Sequence, residues 1–212
     1  EIGAAWRNFS GASNDTVLWN LAREEGKRAP TLSPEQALAK MAPVPGFEVR
    51  LTASEPMIQQ PIAFCWDDRG RLWVAENRDY EARNRGFSGG AGRSRILILE
   101  DTDGDGRMDT SKVFLEGITF PSAIAVGFDG LWLGAPPNLL FVPDRNHDDR
   151  AATEAIEVRL TGWGIRDRHE VINSLTWGPD GWLYGCQGYA TPSHVGKPAD
   201  GGRLYRAGEP FP

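Results

Sequence analysis

The sequence predicts an all-β fold, a β-propeller with a short helical extension at its N-terminus. A two-strand segment recurs three times along the 212 residues, and the chain contains 25 glycines and 15 prolines. Turn residues at this frequency are too common for a mainly helical protein. Hydrophobic residues make up 40% of the chain and include eight tryptophans. This composition is sufficient for a packed core, and we expect about three blades of a larger ring.

Each copy of the repeat is an apolar strand, a turn that ends in glycine, and a second strand that carries leucine and an aromatic residue. The copies are PIAFCWDDRGRLWVAEN from Pro61, PSAIAVGFDGLWLGAPP from Pro121 and INSLTWGPDGWLYGCQG from Ile172. This pattern predicts three β-hairpins, and their spacing is typical of propeller blades with loop insertions. The tryptophans at repeated strand positions are expected to pack between blades. They are Trp66, Trp73, Trp132, Trp177 and Trp182.

The segments between the hairpins supply further strands, so that each blade has four. Third strands are expected from Arg95, from Asn138 and in RLYRAG from Arg203, and fourth strands in KVFLEG from Lys112 and IEVRL from Ile156. FEVRL from Phe47 resembles IEVRL and predicts a lone outer strand that closes the ring. Because known propellers need at least four blades, we expect the missing C-terminal blades on a longer chain or on other chains.

Two regions are expected along the chain, an N-terminal extension over residues 1–45 and the N-terminal part of the propeller over residues 46–212. Ser33-Pro34-Glu35-Gln36 is a capping box with proline at the first helical position, which predicts a helix from Pro34 to Met41. Asp15 to Glu25, followed by glycine, predicts a second short helix.

Charge and cysteine usage exclude several classes of function. The net charge of −6, with no basic stripe, argues against a nucleic-acid partner. The longest uncharged runs contain proline and are shorter than the ~20 residues of a membrane-spanning helix, so no transmembrane segment is predicted. Cys65 and Cys186 lie outside any haem or zinc spacing, and they belong to blades that are not neighbours. We expect free thiols.

The strongest local motif is an acidic loop, Asp101-x-Asp103-x-Asp105-Gly106-x-x-Asp109. This spacing places oxygen ligands around Ca²⁺, with the Arg107 carbonyl at position seven. Position twelve is a lysine, so the loop predicts a hairpin-borne calcium site and not an EF-hand. The alternative is an Asp-Gly turn without metal. The next blade repeats a weaker version, Asp144-x-Asn146-x-Asp148-Asp149, which keeps three ligand positions.

His169 is the catalytic candidate. It lies in RDRHEVIN, on the link into the innermost strand of the third blade, where an imidazole would lie near the mouth of the central channel. A group that titrates near neutrality suits general-base chemistry on a hydroxyl or a lactone. The alternative is a surface or structural histidine. Arg168, Asn173 and Gln187 are the candidates for contact with an anionic cofactor, or they belong to an exposed loop.

The segments QPIAFCWDDRGRLWVAEN, ILEDTDGDGRMD and HEVINSLTWGPDGWLYGCQG resemble the large propeller proteins of planctomycetes called membrane-bound dehydrogenases. These are similar to soluble quinoprotein glucose and sorbosone dehydrogenases. The resemblance implies a ring of six or seven blades, export to the periplasm or cell surface, and a cytochrome c module beyond this segment. It also implies that His169 accepts the proton of a sugar hydroxyl while hydride passes to pyrroloquinoline quinone.

The chain departs from those relatives at three positions. They carry aspartates where this chain has Arg168 and Cys186, and a glutamine where it reads Thr119-Phe120-Pro121.

Two functions are therefore expected as alternatives. One is a calcium-containing, quinone-dependent sugar or alcohol dehydrogenase of the cell envelope, with a carbohydrate substrate. The other is a non-catalytic propeller that serves as a binding or assembly platform in a larger complex. A hydrolytic propeller such as a lactonase is a third possibility.

Overall fold

The computed structural model describes residues 31–79, 92–167, 169–188, 191–198, 203–206 and 209–210. The chain divides into two compact units, Glu1–Val49 and Arg50–Pro212. In the first unit, helix α1 spans Pro34–Leu38 and begins with a complete capping box. The Gln36 amide donates to Ser33 Oγ at 3.2 Å, and the Ser33 amide donates to Gln36 Oε1 at 2.9 Å. The predicted helix is confirmed but ends before Met41, and the one predicted from residue 15 lies outside the described residues.

Two four-stranded antiparallel sheets make up most of the second unit. In each sheet the strands are adjacent in chain order. The first sheet contains β1 (Pro61–Trp66), β2 (Leu72–Glu76), β3 (Ser94–Glu100) and β4 (Thr110–Ile118). The second sheet contains β5 (Ala123–Val126), β6 (Gly130–Ala135), β7 (Asn138–Pro143) and β8 (Glu157–Thr161), with a 3-10 turn at Thr153–Ala155 before β8. These are the four-stranded units that the sequence repeat predicted.

Two further hairpins follow. β9 (Asn173–Trp177) pairs with β10 (Leu183–Cys186), which confirms the third predicted hairpin, and β11 (His194–Val195) pairs with β12 (Tyr205–Arg206). The expectation that RLYRAG is a third strand beside β10 is wrong, because its strand residues pair with β11. Gly196 forms a bridge with Thr161 at the end of β8. This bridge holds the chain after β10 near the second sheet, where β11 offers an edge to β12.

FEVRL does not form the predicted outer strand. Residues 47–51 carry no strand assignment, and none of the described strands pairs with them. A β-strand is stabilised by hydrogen bonds to a neighbouring strand, so strand propensity alone does not form one. Among the described residues no helix is long and apolar enough to cross a membrane. The described structure is therefore nearly all β, as predicted.

The main core lies between the first two sheets. Trp73, Ile98 and Phe114 pack there against Leu131 and Val142, together with other buried residues of both sheets. The opposite face of the first sheet buries a second cluster. Its members are Leu72, Val74, Leu97, Leu99 and Met108, partly covered by Ala53, Met57 and Ile58.

The two cysteines are free, as predicted. Cys65 of β1 is packed against the main core. Burial raises the pKa of its thiol to about 11, an effect that a hydrogen bond from the Val126 backbone only partly offsets. Cys65 is thus a packing residue, because a protonated thiol is a poor nucleophile.

The inner strands of successive sheets lie side by side. β5 packs against β1 on one side and against β9 on the other. Consequently the residues of β5 are buried on both faces, whereas Phe64 and Trp66 of β1 are 67% and 52% exposed. Trp182, in the turn before β10, is 72% exposed. The prediction that Trp66 and Trp182 pack in the core is wrong, because no described sheet covers the outward faces of β1 and of the β9–β10 hairpin.

Candidate functional sites

The first acidic loop, residues 101–109, connects β3 to β4. It is folded around the carboxylate of Asp101, which accepts hydrogen bonds from the amides of Gly104 and Gly106, both at 2.8 Å, and of Asp105 at 3.2 Å. These bonds, that from Gly106 above all, lower the pKa of Asp101. Gly106 has φ +90°, a left-handed conformation that side chains rarely adopt. The backbone therefore favours glycine at position six.

Three of the five predicted metal ligands come together in this loop. Carboxylate oxygens of Asp101, Asp103 and Asp109 lie within 4.8 Å of one another and could hold a metal ion. Asp105 is not part of this group, and its Oδ1 accepts the amide of Arg107 at 2.7 Å. Asp109 is oriented from within the loop. Its Oδ2 accepts the amide of Thr102 at 2.9 Å and its Oδ1 accepts the Thr102 hydroxyl at 2.9 Å.

The second acidic loop, residues 144–149, connects β7 to β8. No group of three ligand side chains forms there among the described residues. Instead, its last aspartate joins the first two sheets. Asp149 Oδ1 accepts Arg71 Nη1 at 2.8 Å, and its Oδ2 accepts Lys112 Nζ at 2.7 Å. Arg71 also donates to Asp67 at 2.8 Å, and the Trp73 indole donates to the same Asp67 oxygen at 3.0 Å.

This ion-pair network is largely buried, with the side chains of Arg71 and Asp149 both 8% exposed. Burial by itself would raise the pKa of Asp149, but hydrogen bonds from Lys112 and Arg71 outweigh it and hold that pKa below its usual range. The pKa of Asp67 is lowered in the same way, since the bonds from Trp73 and Arg71 exceed the effect of burial. Sequence reasoning missed this network. The sequence signal for it is Asp149, which occupies position six of the second loop, where the first loop has Gly106.

His169 lies on the link between β8 and β9, and its side chain is 73% exposed. Its amide donates to Asp167 Oδ1 at 2.7 Å, and its ring Nδ1 lies 3.4 Å from the same oxygen. The hydrogen bond from the His169 amide is the largest cause of a lowered pKa at Asp167. An ionised carboxylate thus faces one nitrogen of an exposed imidazole ring. Arg168 lies outside the described residues.

Asn173 and Gln187 have amide groups that are used within the protein. Asn173 Nδ2 donates to the Val171 carbonyl at 2.8 Å, and its Oδ1 accepts the Cys186 thiol at 2.9 Å. Gln187 Nε2 donates to the Thr191 carbonyl at 2.6 Å and to a neighbouring serine hydroxyl. Gln187 lines a cavity of about 620 Å³ whose walls do not include His169. Among the described residues, Gln187 and His169 therefore do not line the same cavity.

One protein-family model matches most of the chain. A family model described as a domain of unknown function, DUF7133, matches residues 33–208. The chain belongs to this family. No curated protein and no solved structure matches the chain.

The DUF7133 match begins at Ser33, the N-cap of α1, and extends beyond Arg206 at the end of β12. It therefore includes both acidic loops and the His169 link. The family description assigns no function to these residues.

Proposed function

We propose that the chain forms three consecutive blades of a β-propeller and serves as an assembly platform that other sheets complete. The observation that carries this proposal is the radial order of the inner strands, with β5 between β1 and β9. Adjacent four-stranded sheets with their first strands side by side are the arrangement of propeller blades. Among the described residues, no further sheet packs on the outward faces of β1 and of the β9–β10 hairpin.

The two open faces support the platform role because one of them is strongly apolar. Ile62, Phe64 and Trp66 lie on alternate positions of β1 and are all exposed. An exposed row of large apolar side chains is typical of a protein interaction surface. At the other end, Tyr184 of β10 is exposed beside the β9 face. Both ends are thus suited to contact another sheet.

A structural Ca²⁺ ion on the first acidic loop is part of this proposal. The three gathered carboxylates and the calcium-type spacing support it. The loop is also tied to the segment that precedes β1, because the Met108 amide donates to the Thr52 carbonyl at 2.8 Å. An ion there would offset carboxylate repulsion and hold the β3–β4 connection, far in sequence from His169.

A second function, proton abstraction from a sugar or alcohol hydroxyl, is favoured by the pair of Asp167 and His169. The relatives that the sequence resembles have an aspartate at the position of Arg168, and here Asp167 faces the imidazole instead. Asp167 would orient the ring and stabilise its protonated form, and Nε2 would accept the hydroxyl proton. Location in the cell envelope and a cytochrome c partner rest on that resemblance.

Of the predicted contacts to pyrroloquinoline quinone, Asn173 and Gln187 are among the described residues. Gln187 Nε2 uses both of its N–H groups within the protein, whereas Asn173 Nδ2 donates one of its two, to the Val171 carbonyl. No quinone-dependent step follows from these side chains. The platform is for this reason the main proposal, and proton abstraction is the alternative.

Hydroxyl-radical labelling tests the platform. Phe64, Trp66 and Tyr184 should label strongly in the isolated chain and be protected in the assembly purified from its natural source. Phe128, which is exposed on a turn of the second sheet, is the internal control and should label equally in both. Equal labelling of Phe64 in both preparations would exclude the platform.

Dye reduction tests the alternative. The natural assembly, supplied with Ca²⁺ and pyrroloquinoline quinone, would be assayed with a panel of sugars and alcohols. His169→Asn should abolish any activity and Asp167→Asn should lower kcat, whereas His194→Asn, at another exposed histidine, should have no effect. Absence of dye reduction with every substrate would remove the dehydrogenase function.

A further inference from the structure

A cavity of about 330 Å³ lies where the β1–β2 turn, the β5–β6 turn and the second acidic loop meet. Its wall includes Phe128, Asp129, Asp144 and His147. His169 is not among the described residues that line it. The functions proposed above therefore leave this cavity without a role.

Asp144 contributes a buried carboxylate with an unused oxygen to the wall. The residue is 8% exposed. Its Oδ1 accepts the Asp148 amide at 3.2 Å, whereas its Oδ2 accepts no hydrogen bond from the described residues. Asp101, at the same position of the first loop, is less buried and accepts three amides. Because a carboxylate removed from water is costly without partners, Asp144 favours a ligand that donates to Oδ2.

The charge of Asp144 is also not balanced within the described residues, since no cationic side chain among them lies within ion-pair distance of it. Arg71, the buried cation of the wall, donates to Asp67 and Asp149. The other charged or titratable residues of the wall are exposed and include both signs. They are Asp68, Arg69, Asp129 and His147. The cavity is thus suited to a cation and not to an anion.

The rim of the cavity carries an aromatic side chain in a strained position. Phe128 and Asp129 are the central residues of the β5–β6 turn, and both are left-handed, with φ +57° and +56°. Asparagine and glycine are the residues that suit such a turn. Phe128 is nevertheless 71% exposed, and its ring meets Trp177 edge to face at 5.0 Å between centroids. Strained backbone is frequent at ligand sites, and an aromatic ring can contact both an alkyl chain and a cation.

The single free oxygen of Asp144 selects the kind of cation. A guanidinium binds a carboxylate best through both oxygens, whereas an ammonium group forms a charge-assisted hydrogen bond to one. Ca²⁺ takes about six to eight oxygen ligands, and no group of three ligand side chains forms in the second loop among the described residues. We propose that the cavity binds a primary alkylammonium ion, with Asp144 as its charge partner and Phe128 beside its alkyl chain.

Isothermal titration calorimetry at low ionic strength tests the site, with pentylamine as the probe. Pentanol is the neutral control of the same length, and we expect it to bind at least about tenfold more weakly. Acetyl-lysine methylamide, which carries the same ammonium group, separates the sources of the ligand. Tighter binding than that of pentylamine would assign the site to a lysine side chain of a protein, and weaker binding would assign it to a free amine.

Asp144→Asn removes the charge but keeps an oxygen for the Asp148 amide. It should weaken pentylamine binding at least about tenfold, whereas Asp148→Asn, at an exposed neighbour, should bind like the unmodified chain. Phe128→Asn keeps a residue that tolerates the left-handed turn and should weaken binding about threefold. Absence of binding to the unmodified chain, or equal binding to Asp144→Asn, would overturn the proposal.

Urea unfolding without amine separates a ligand site from a structural carboxylate. Because Asp144 has no charge partner among the described residues, Asp144→Asn should leave the unfolding midpoint unchanged or raise it. A midpoint lowered as far as that of Asp149→Asn, which loses a buried ion pair, would show that Asp144 is paired within the protein and would also overturn the proposal. The platform is tested separately, since it depends on the labelling of Phe64.

Discussion

The two acidic loops share features of their backbone conformation, but their carboxylates make different contacts. Each connects the third strand of a sheet to the fourth. In both, the aspartate at position one accepts the amide of position five at 3.2 Å, Asp105 to Asp101 and Asp148 to Asp144. Positions four and six are left-handed in both loops, with φ +77° and +90° in the first loop and +53° and +62° in the second.

Their side chains differ at positions six and nine. The first loop has Gly106 and Asp109, and the second has Asp149 and Ala152. Asp149 turns toward Arg71 and Lys112, so the second loop is neutralised by cations of the neighbouring sheet. The first loop instead gathers three carboxylates, with the Arg50 guanidinium beside Gly106. The same loop pattern therefore forms an ion pair between sheets in one case and a cluster of carboxylates in the other.

The largest effect is expected from Asp149→Asn. Asparagine keeps the size and tolerates the left-handed backbone, but it leaves the buried Arg71 without this charge partner. Removing one partner of a buried ion pair costs about 3 kcal/mol. We expect the free energy of unfolding in urea to fall by about that amount. Asp148→Asn, at an exposed neighbour, should change it by less than about 0.5 kcal/mol. Equal effects of the two variants would contradict a stabilising role of the ion-pair network between the first two sheets.

Calcium should stabilise the protein through the first loop alone. Binding to the folded state contributes ~2.7 kcal/mol when free Ca²⁺ is a hundred times its dissociation constant. Thermal unfolding with Ca²⁺ and with chelator should show this difference, and isothermal titration calorimetry should show one site. Asp103→Asn should remove both signals.

Asp148→Asn is the matched control in the second loop and should retain the calcium response. A calcium response that survives in Asp103→Asn and is lost in Asp148→Asn would place the ion in the second loop and contradict this prediction. Absence of any heat of binding in the unmodified chain would leave the first loop as a turn without metal.

The second loop should also give a smaller, pH-dependent effect. The pKa values of Asp149 and Asp67 are lowered in the folded state, so their stabilisation is present above the unfolded value of about 4 and is lost as the pH falls through the folded values. Urea unfolding at pH 6 and at successive steps down to pH 2 should therefore show the unmodified chain and Asp149→Asn converging. A constant difference between them at all pH values would contradict the ionised state of Asp149.

The smallest effect is expected at position six of the first loop. Gly106→Ala should cost about 1 kcal/mol because alanine is strained at positive φ. Gly106→Asn should cost less, since asparagine tolerates the left-handed region, and the natural aspartate of the second loop occupies the same conformation. Urea unfolding of the two variants measures the difference. Equal costs would mean that contacts of the new side chain, and not the backbone, set the requirement for glycine.

Local features of the molecule were predictable from the sequence. The three hairpins follow from apolar strands around turn residues, and helix α1 follows from Ser33 and Gln36, because turns and caps are decided by residues close in the chain. The gathering of Asp101, Asp103 and Asp109 is local for the same reason. The contact between Asp167 and His169 is likewise made by residues close in the chain.

Contacts between distant segments were decided by the tertiary structure. Three features depend on which edge or face lies opposite in space. They are the pairing of β12 with β11, the lack of a strand at residues 47–51 and the exposure of Trp66. The bond between Arg71 and Asp149 joins residues 78 positions apart, and no local pattern specifies it. Strand propensity and turn chemistry act over a few residues, whereas a partner for a sheet edge, a sheet face or a buried charge exists only after the sheets have packed.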